Sequence, residues 1–165
     1  MIKRVLFICY ANTCRTPAAE KLAEHYAKKY DLKGVEFDSA GWHIAFDHAQ
    51  SETIEYINLK GIEMNDFKPK PITRALIEKQ DLIIGMERYQ LTKIRNKFKD
   101  LKENLKGKLY TLKEFNGGGK KDLNIPDPYK TGKKQYFEIL EIVEENVERL
   151  VQKVKKINQK NRSNM

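Results

Sequence analysis

Cys9 and Arg15 are separated by five residues, Tyr10, Ala11, Asn12, Thr13 and Cys14, and are followed by Thr16 and Pro17. A thiol and a guanidinium at this spacing can share one anion. The intervening loop is long enough to curl around a phosphate-sized group, with Cys9 beneath it. Arg15 can then grip two of its oxygens through a planar fork, a geometry that lysine does not offer. Val5 to Ile8, just before the loop, is a short apolar run of strand-forming residues. The segment after it reads as the start of a helix, with Thr16 placed to cap it and Pro17 at its first position. Strand, tight loop and helix N-terminus together aim backbone N–H groups and the positive end of a helix dipole at one point. The same surroundings favour the thiolate form of Cys9, the nucleophilic form. Thr16 can donate its hydroxyl to that sulfur. Asn12 tolerates a left-handed backbone and can brace the loop with its side chain.

The elements that must hold this loop alternate along the chain. Pro17 to Lys29 has helical spacing, Val35 to Ser39 alternates like a strand, and Ser51 to Lys60 reads as a helix stopped by Gly61. Thr73 caps a helix that runs through Lys79. Leu82-Ile83-Ile84 is a buried strand, Leu91 to Phe98 is helical, and Leu109 to Leu112 is a fourth strand. A loop rich in glycine and proline spans Asn116 to Lys134, long enough to suggest a functional role. Tyr136, Leu140, Val143, Val147, Leu150, Val154 and Ile157 then mark one face of a long helix. The expected fold is one α/β domain over residues 1–157. It has a four-stranded parallel sheet, helices on both faces, and the anion loop at the carboxyl end of the first strand. Residues 158–165 are expected to form a disordered basic tail.

Composition narrows the partners. A chain of 165 residues, 40% apolar and 33% charged, can bury a single core. No apolar run is long enough to span a membrane and the N-terminus lacks a signal-peptide pattern, so the protein is expected to be cytoplasmic and free of membrane. Two cysteines and three histidines at unrelated spacings supply no metal site, and no cofactor is expected. The net charge is +9, and five of the basic residues lie in 151–165, where there are no acids. That tail has no stacking aromatics, so nucleic acid is not the expected partner.

The residues Val5-Leu6-Phe7-Ile8-Cys9 and Asn12-Thr13-Cys14-Arg15-Thr16-Pro17, with Ala19-Glu20 after them, resemble the signature of the low molecular weight protein tyrosine phosphatases. The resemblance continues at Asp38-Ser39-Ala40-Gly41, Asp81-Leu82-Ile83 and Asp127-Pro128-Tyr129. Ala11 stands where that family usually has Gly, Thr16 where it has Ser, and Lys130 where some members have a second aromatic residue or Gly. The resemblance implies hydrolysis of phosphotyrosine in protein substrates, by a monomer, through a cysteinyl-phosphate on Cys9. It implies phosphate bound by residues 10–15 (Tyr10, Ala11, Asn12, Thr13, Cys14, Arg15), support from Asn12, Thr16 and Ser39, and Asp127 as the general acid. Asp122 is the competing carboxylate in the same loop. Tyr129 and Trp42 are expected in the substrate pocket, although Trp42 also suits a core edge, and the histidines are read as structural or exposed. Cys14 is expected to capture an oxidised Cys9 as a disulfide. Thr13 matches bacterial members that act on phosphoarginine, which keeps a protein-arginine phosphatase as an alternative. An arsenate reductase would need a third cysteine, and a non-enzymatic phosphate or nucleic-acid binder would not need a reactive thiol.

Overall fold

The structure is a computed structural model that describes residues 1–119 and 121–165, so position 120 of the expected long loop lies outside the described residues. Its sheet has four parallel strands in the order β2-β1-β3-β4: β1 Arg4–Cys9, β2 Glu36–Gly41, β3 Leu82–Gly85 and β4 Leu109–Thr111. Side chains alternate across a strand, so β1 feeds two cores. Val5, Phe7 and Cys9 face α1 (Arg15–Lys29), α2 (Ser51–Leu59) and the long α7 (Lys133–Ser163). Leu6 and Ile8 face α3 (Arg74–Glu78), α4 (Arg88–Lys97) and the turn of Lys99–Leu101 that leads into α5 (Lys102–Leu105). Val5 to Ile8 are fully buried, which is why they read as a continuous apolar run.

The chain turns to β2 on one side of β1 and to β3 on the other, so the end of β1 at Cys9 is the switch point of the sheet. Gly41 ends β2 directly behind the loop. A Cβ there would come within 2.8 Å of the Asn12 nitrogen, and only glycine lets the two backbones approach this closely.

Several boundaries differ from the sequence reading. Helix α1 begins at Arg15, with Cys14 in the cap position and no side-chain cap, so Thr16 is the second helical residue and Pro17 the third. Proline is still tolerated there, because the first-turn N–H groups have no intrahelical acceptor to lose. The fourth strand ends at Thr111, whose side chain accepts from the Glu114 N–H and caps the short α6 (Leu112–Phe115). The segment expected to be a disordered tail instead continues α7 through Ser163. Asn158 holds it: its side chain is buried, accepts from the Ile2 N–H at 2.7 Å and donates to the Ile2 carbonyl at 2.8 Å. Two hydrogen bonds to a chain end 156 residues away leave no periodic signal in the sequence.

Candidate active site

The loop after β1 closes on the Cys9 sulfur. Thr16 Oγ1 lies 3.0 Å from it and the Asn12 N–H donates to it at 3.3 Å. Asn12 has φ 57°, the left-handed conformation that asparagine tolerates, and this turn points its amide inward. The Asn12 side chain donates to Thr16 Oγ1 and to Ser39 Oγ, each at 2.9 Å, while its oxygen accepts from the Lys70 N–H at 3.0 Å. Ser39 Oγ in turn donates to Glu20 Oε1 at 2.8 Å. A buried chain of side chains therefore runs from Glu20 through Ser39, Asn12 and Thr16 to Cys9. Burial pushes the Glu20 carboxyl up to about 7, against the opposing pull of Ser39 and Lys21.

Arg15 is 2% exposed. Its Nη1 donates to the Glu87 carboxylate and to the Ile125 carbonyl, which fixes one end of the fork. Nε is buried with no hydrogen-bond partner among the described residues. Nη2 lies 4.0 Å from Asp127 Oδ2. Burial works against the guanidinium charge, but Cys9, Glu87 and Asp127 outweigh it and hold the Arg15 pKa above its usual value. Among the described residues, the N–H groups of Ala11, Thr13, Cys14 and Arg15 have no protein acceptor either. The unpaired donors thus cluster at the start of α1, beside Cys9 and Arg15, where an anion is favoured.

Over this point opens a cleft of about 240 Å³. Cys9, Arg15, Thr13 and Cys14 line it with Tyr10, His43, Ala45, Phe46, Asp127 and Tyr129. The Tyr10 ring stacks on His43 at 5.7 Å, and the Phe46 ring lies 6.5 Å from Tyr129. Asp127 is 45% exposed, and its Oδ1 accepts from the Tyr129 N–H at 3.0 Å.

Most of the residues selected from sequence meet here, and Trp42 does not. It packs against the opposite core, the one that Leu6 and Ile8 feed, with Lys93 and Lys97 over its ring at 4.8 and 5.6 Å. The aromatic wall is made instead by Phe46, Tyr10 and Tyr129, and His43, read as structural or exposed, lines the cleft. Asp122 does not line the cleft and pairs with Lys113 at 3.3 Å. Both cysteines are free, and burial pushes the Cys14 thiol up to about 11. Glu87 and Ile125 escaped the sequence reading. Glu87 does follow a buried strand, where α/β folds place ligand-binding groups, and that position was the available signal.

The sequence pattern of the low molecular weight phosphotyrosine protein phosphatases matches residues 4–160. The chain belongs to that family. The low molecular weight protein-tyrosine-phosphatase YfkJ of Bacillus subtilis is 29% identical to this family member, over 92% of this chain and 96% of its own. The protein-arginine-phosphatase of the same organism is also 29% identical, over 92% and 97%. A solved YwlE arginine phosphatase, with cysteine replaced by a phosphorylated active-site serine, superposes with a TM-score of 0.82. It is 28% identical and the match covers 93% of this chain and 96% of that one. Among the described residues, no helix is long and apolar enough to cross a membrane and no cluster of His, Cys, Asp and Glu could hold a metal.

Proposed function

We propose that this protein hydrolyses phosphotyrosine in protein substrates, with Cys9 as nucleophile, Arg15 as the phosphate clamp and Asp127 as the acid. The observation that carries the reading is the cleft itself, with a thiol and an arginine at its floor, a carboxylate beside them and aromatic walls around them. The loop N–H groups and the free edge of Arg15 bind the phosphate oxygens. The Cys9 sulfur attacks phosphorus as the bond to the tyrosine oxygen breaks, and Asp127 gives that oxygen a proton. Asp127, now a carboxylate, takes a proton from water as the water attacks the cysteinyl-phosphate. Inorganic phosphate leaves, and the Cys9 thiolate and the Asp127 proton are restored. The arginine phosphatase whose cysteine-to-serine variant carries phosphate on the active-site serine supports a covalent intermediate on the nucleophile.

Phosphoarginine is the second reading. Thr13 favours it, because it lines the cleft and matches the resemblance to arginine-specific members, and so do the arginine phosphatases among the relatives. Peptides carrying phosphotyrosine or phosphoarginine, assayed side by side with wild type and Thr13→Ile, separate the two. The expected result is a kcat/KM at least tenfold higher on phosphotyrosine, a difference of about 1.4 kcal/mol in transition-state binding, kept by the variant. Faster turnover of phosphoarginine, lost in Thr13→Ile, would establish the second reading instead.

A further inference from the structure

A loop that offers N–H groups to an anion must turn its carbonyls away from it, and those carbonyls then need donors behind the loop. The segment after β2 supplies them. The Trp42 N–H donates to the Cys9 carbonyl at 3.3 Å, the His43 N–H to the Tyr10 carbonyl at 2.8 Å, and the Gln50 N–H to the Thr13 carbonyl at 2.9 Å. The fourth donor is a side chain: Thr53 Oγ1 donates to the Cys14 carbonyl at 3.1 Å. Cys14 directly precedes Arg15, so its carbonyl belongs to the peptide group whose N–H is the Arg15 donor.

Thr53 is fully buried in the first turn of α2. Its hydroxyl has one proton, and the Cys14 carbonyl, which can only accept, takes it. The contact of 2.6 Å between Thr53 Oγ1 and the Tyr136 hydroxyl therefore has Tyr136 as donor. Tyr136 is 1% exposed, in the first turn of α7 and nine residues after Asp127. A phenol from the helix that follows the acid loop thus orients a hydroxyl that orients the peptide of the phosphate loop.

We propose that Thr53 is a positioning residue for the phosphate site, acting through the Cys14–Arg15 peptide, and that Tyr136 supports it by orienting the Thr53 hydroxyl. The proposal rests on residues 9–15 being the phosphate loop. Without the Thr53 hydroxyl, the Cys14 carbonyl keeps only the first intrahelical bond that a cap residue accepts, and its second acceptor position is buried with no donor to fix the tilt of the peptide.

The test measures competitive inhibition by inorganic phosphate, steady-state hydrolysis of an aryl phosphate and the thermal midpoint. Thr53→Val keeps the shape and removes the donor. It should raise the phosphate inhibition constant and KM about tenfold, while kcat falls less than about threefold. Thr53→Ser should restore both to within about twofold, because the hydroxyl returns. Tyr136→Phe keeps the ring in the core and should raise the inhibition constant about threefold. The double variant Thr53→Val/Tyr136→Phe should raise the inhibition constant by less than the product of the two single effects, which independent losses of packing would not produce. Wild-type inhibition by phosphate in Thr53→Val overturns the proposal. So does a double variant in which the two effects multiply in full, or a Thr53→Ser protein that folds but is not rescued. Wild-type protein that neither binds phosphate nor hydrolyses an aryl phosphate would overturn the proposed function with it.

Discussion

The two loops that meet over Cys9 are built in opposite ways. In the phosphate loop, Asn12, Thr13, Arg15 and Thr16 are at most 2% exposed, and a chain of side-chain hydrogen bonds reaches back to Glu20. The acid loop is tied down at Ile125, whose N–H donates to the Met86 carbonyl and whose own carbonyl accepts from Arg15. Beyond that point Asp127 and Tyr129 are 45% and 43% exposed, and their hydrogen bonds stay within the loop. The difference follows from what each must do. An anion site works best when its dipoles are already aligned and nothing reorganises as charge develops. The loop that brings the acid must also admit and release the substrate, so it is held at one end and left open at the other.

The contrast can be broken from the buried side first. Cys9→Ser should have no measurable turnover yet still bind inorganic phosphate, because the donors around the anion are untouched. Arg15→Lys should lose binding and rate together, by roughly 10²–10³-fold in kcat/KM, since the bidentate grip and the Glu87 contact go at once. Titration with phosphate beside an aryl phosphate assay reads both, and normal turnover by Cys9→Ser would remove the nucleophile assignment.

The exposed side should respond through the leaving group. Asp127→Asn should slow hydrolysis of phosphotyrosine by about 10²–10⁴-fold and affect an ester with a very acidic leaving group far less. Asp122→Asn should behave as wild type on both. A larger effect at Asp122 would mean that the carboxylate paired with Lys113 leaves that partner to reach the cleft.

The smallest effect sharpens the account of the buried chain. Folding holds a proton on Glu20 more tightly than the unfolded chain does, because its carboxyl is raised to about 7. This contribution to stability is therefore fully present below the ordinary carboxylate range. It falls as pH rises toward 7 and is level above that. The loss is on the order of 3 kcal/mol across that window. Glu20→Gln should flatten the thermal midpoint between pH 5 and pH 8 relative to wild type, as followed by circular dichroism. Parallel profiles for the two proteins would show that Glu20 ionises in the folded state as it does in water.

Much of this site could be read from the chain because its parts are local. Cys9, Asn12, Arg15 and Thr16 lie within eight consecutive positions. An apolar run, a short polar loop and a helical pattern suffice to place them at the end of a parallel strand. The alternation of strand and helix patterns likewise carried the four-stranded sheet, because period 2 and period 3.6 are properties of single segments. What escaped were pairings across the fold. Glu87 meets Arg15 from 72 residues away, Ile125 meets it from 110, and Asn158 pins Ile2 from 156. Trp42 and Phe46 are four positions apart in one loop after β2, and composition treats them alike. Only the packed structure sends Trp42 toward the core on the far face of the sheet and Phe46 into the cleft. Local order is written in the spacing of neighbouring residues, whereas the partner of a buried charge or the side a loop aromatic takes depends on which distant surfaces close together.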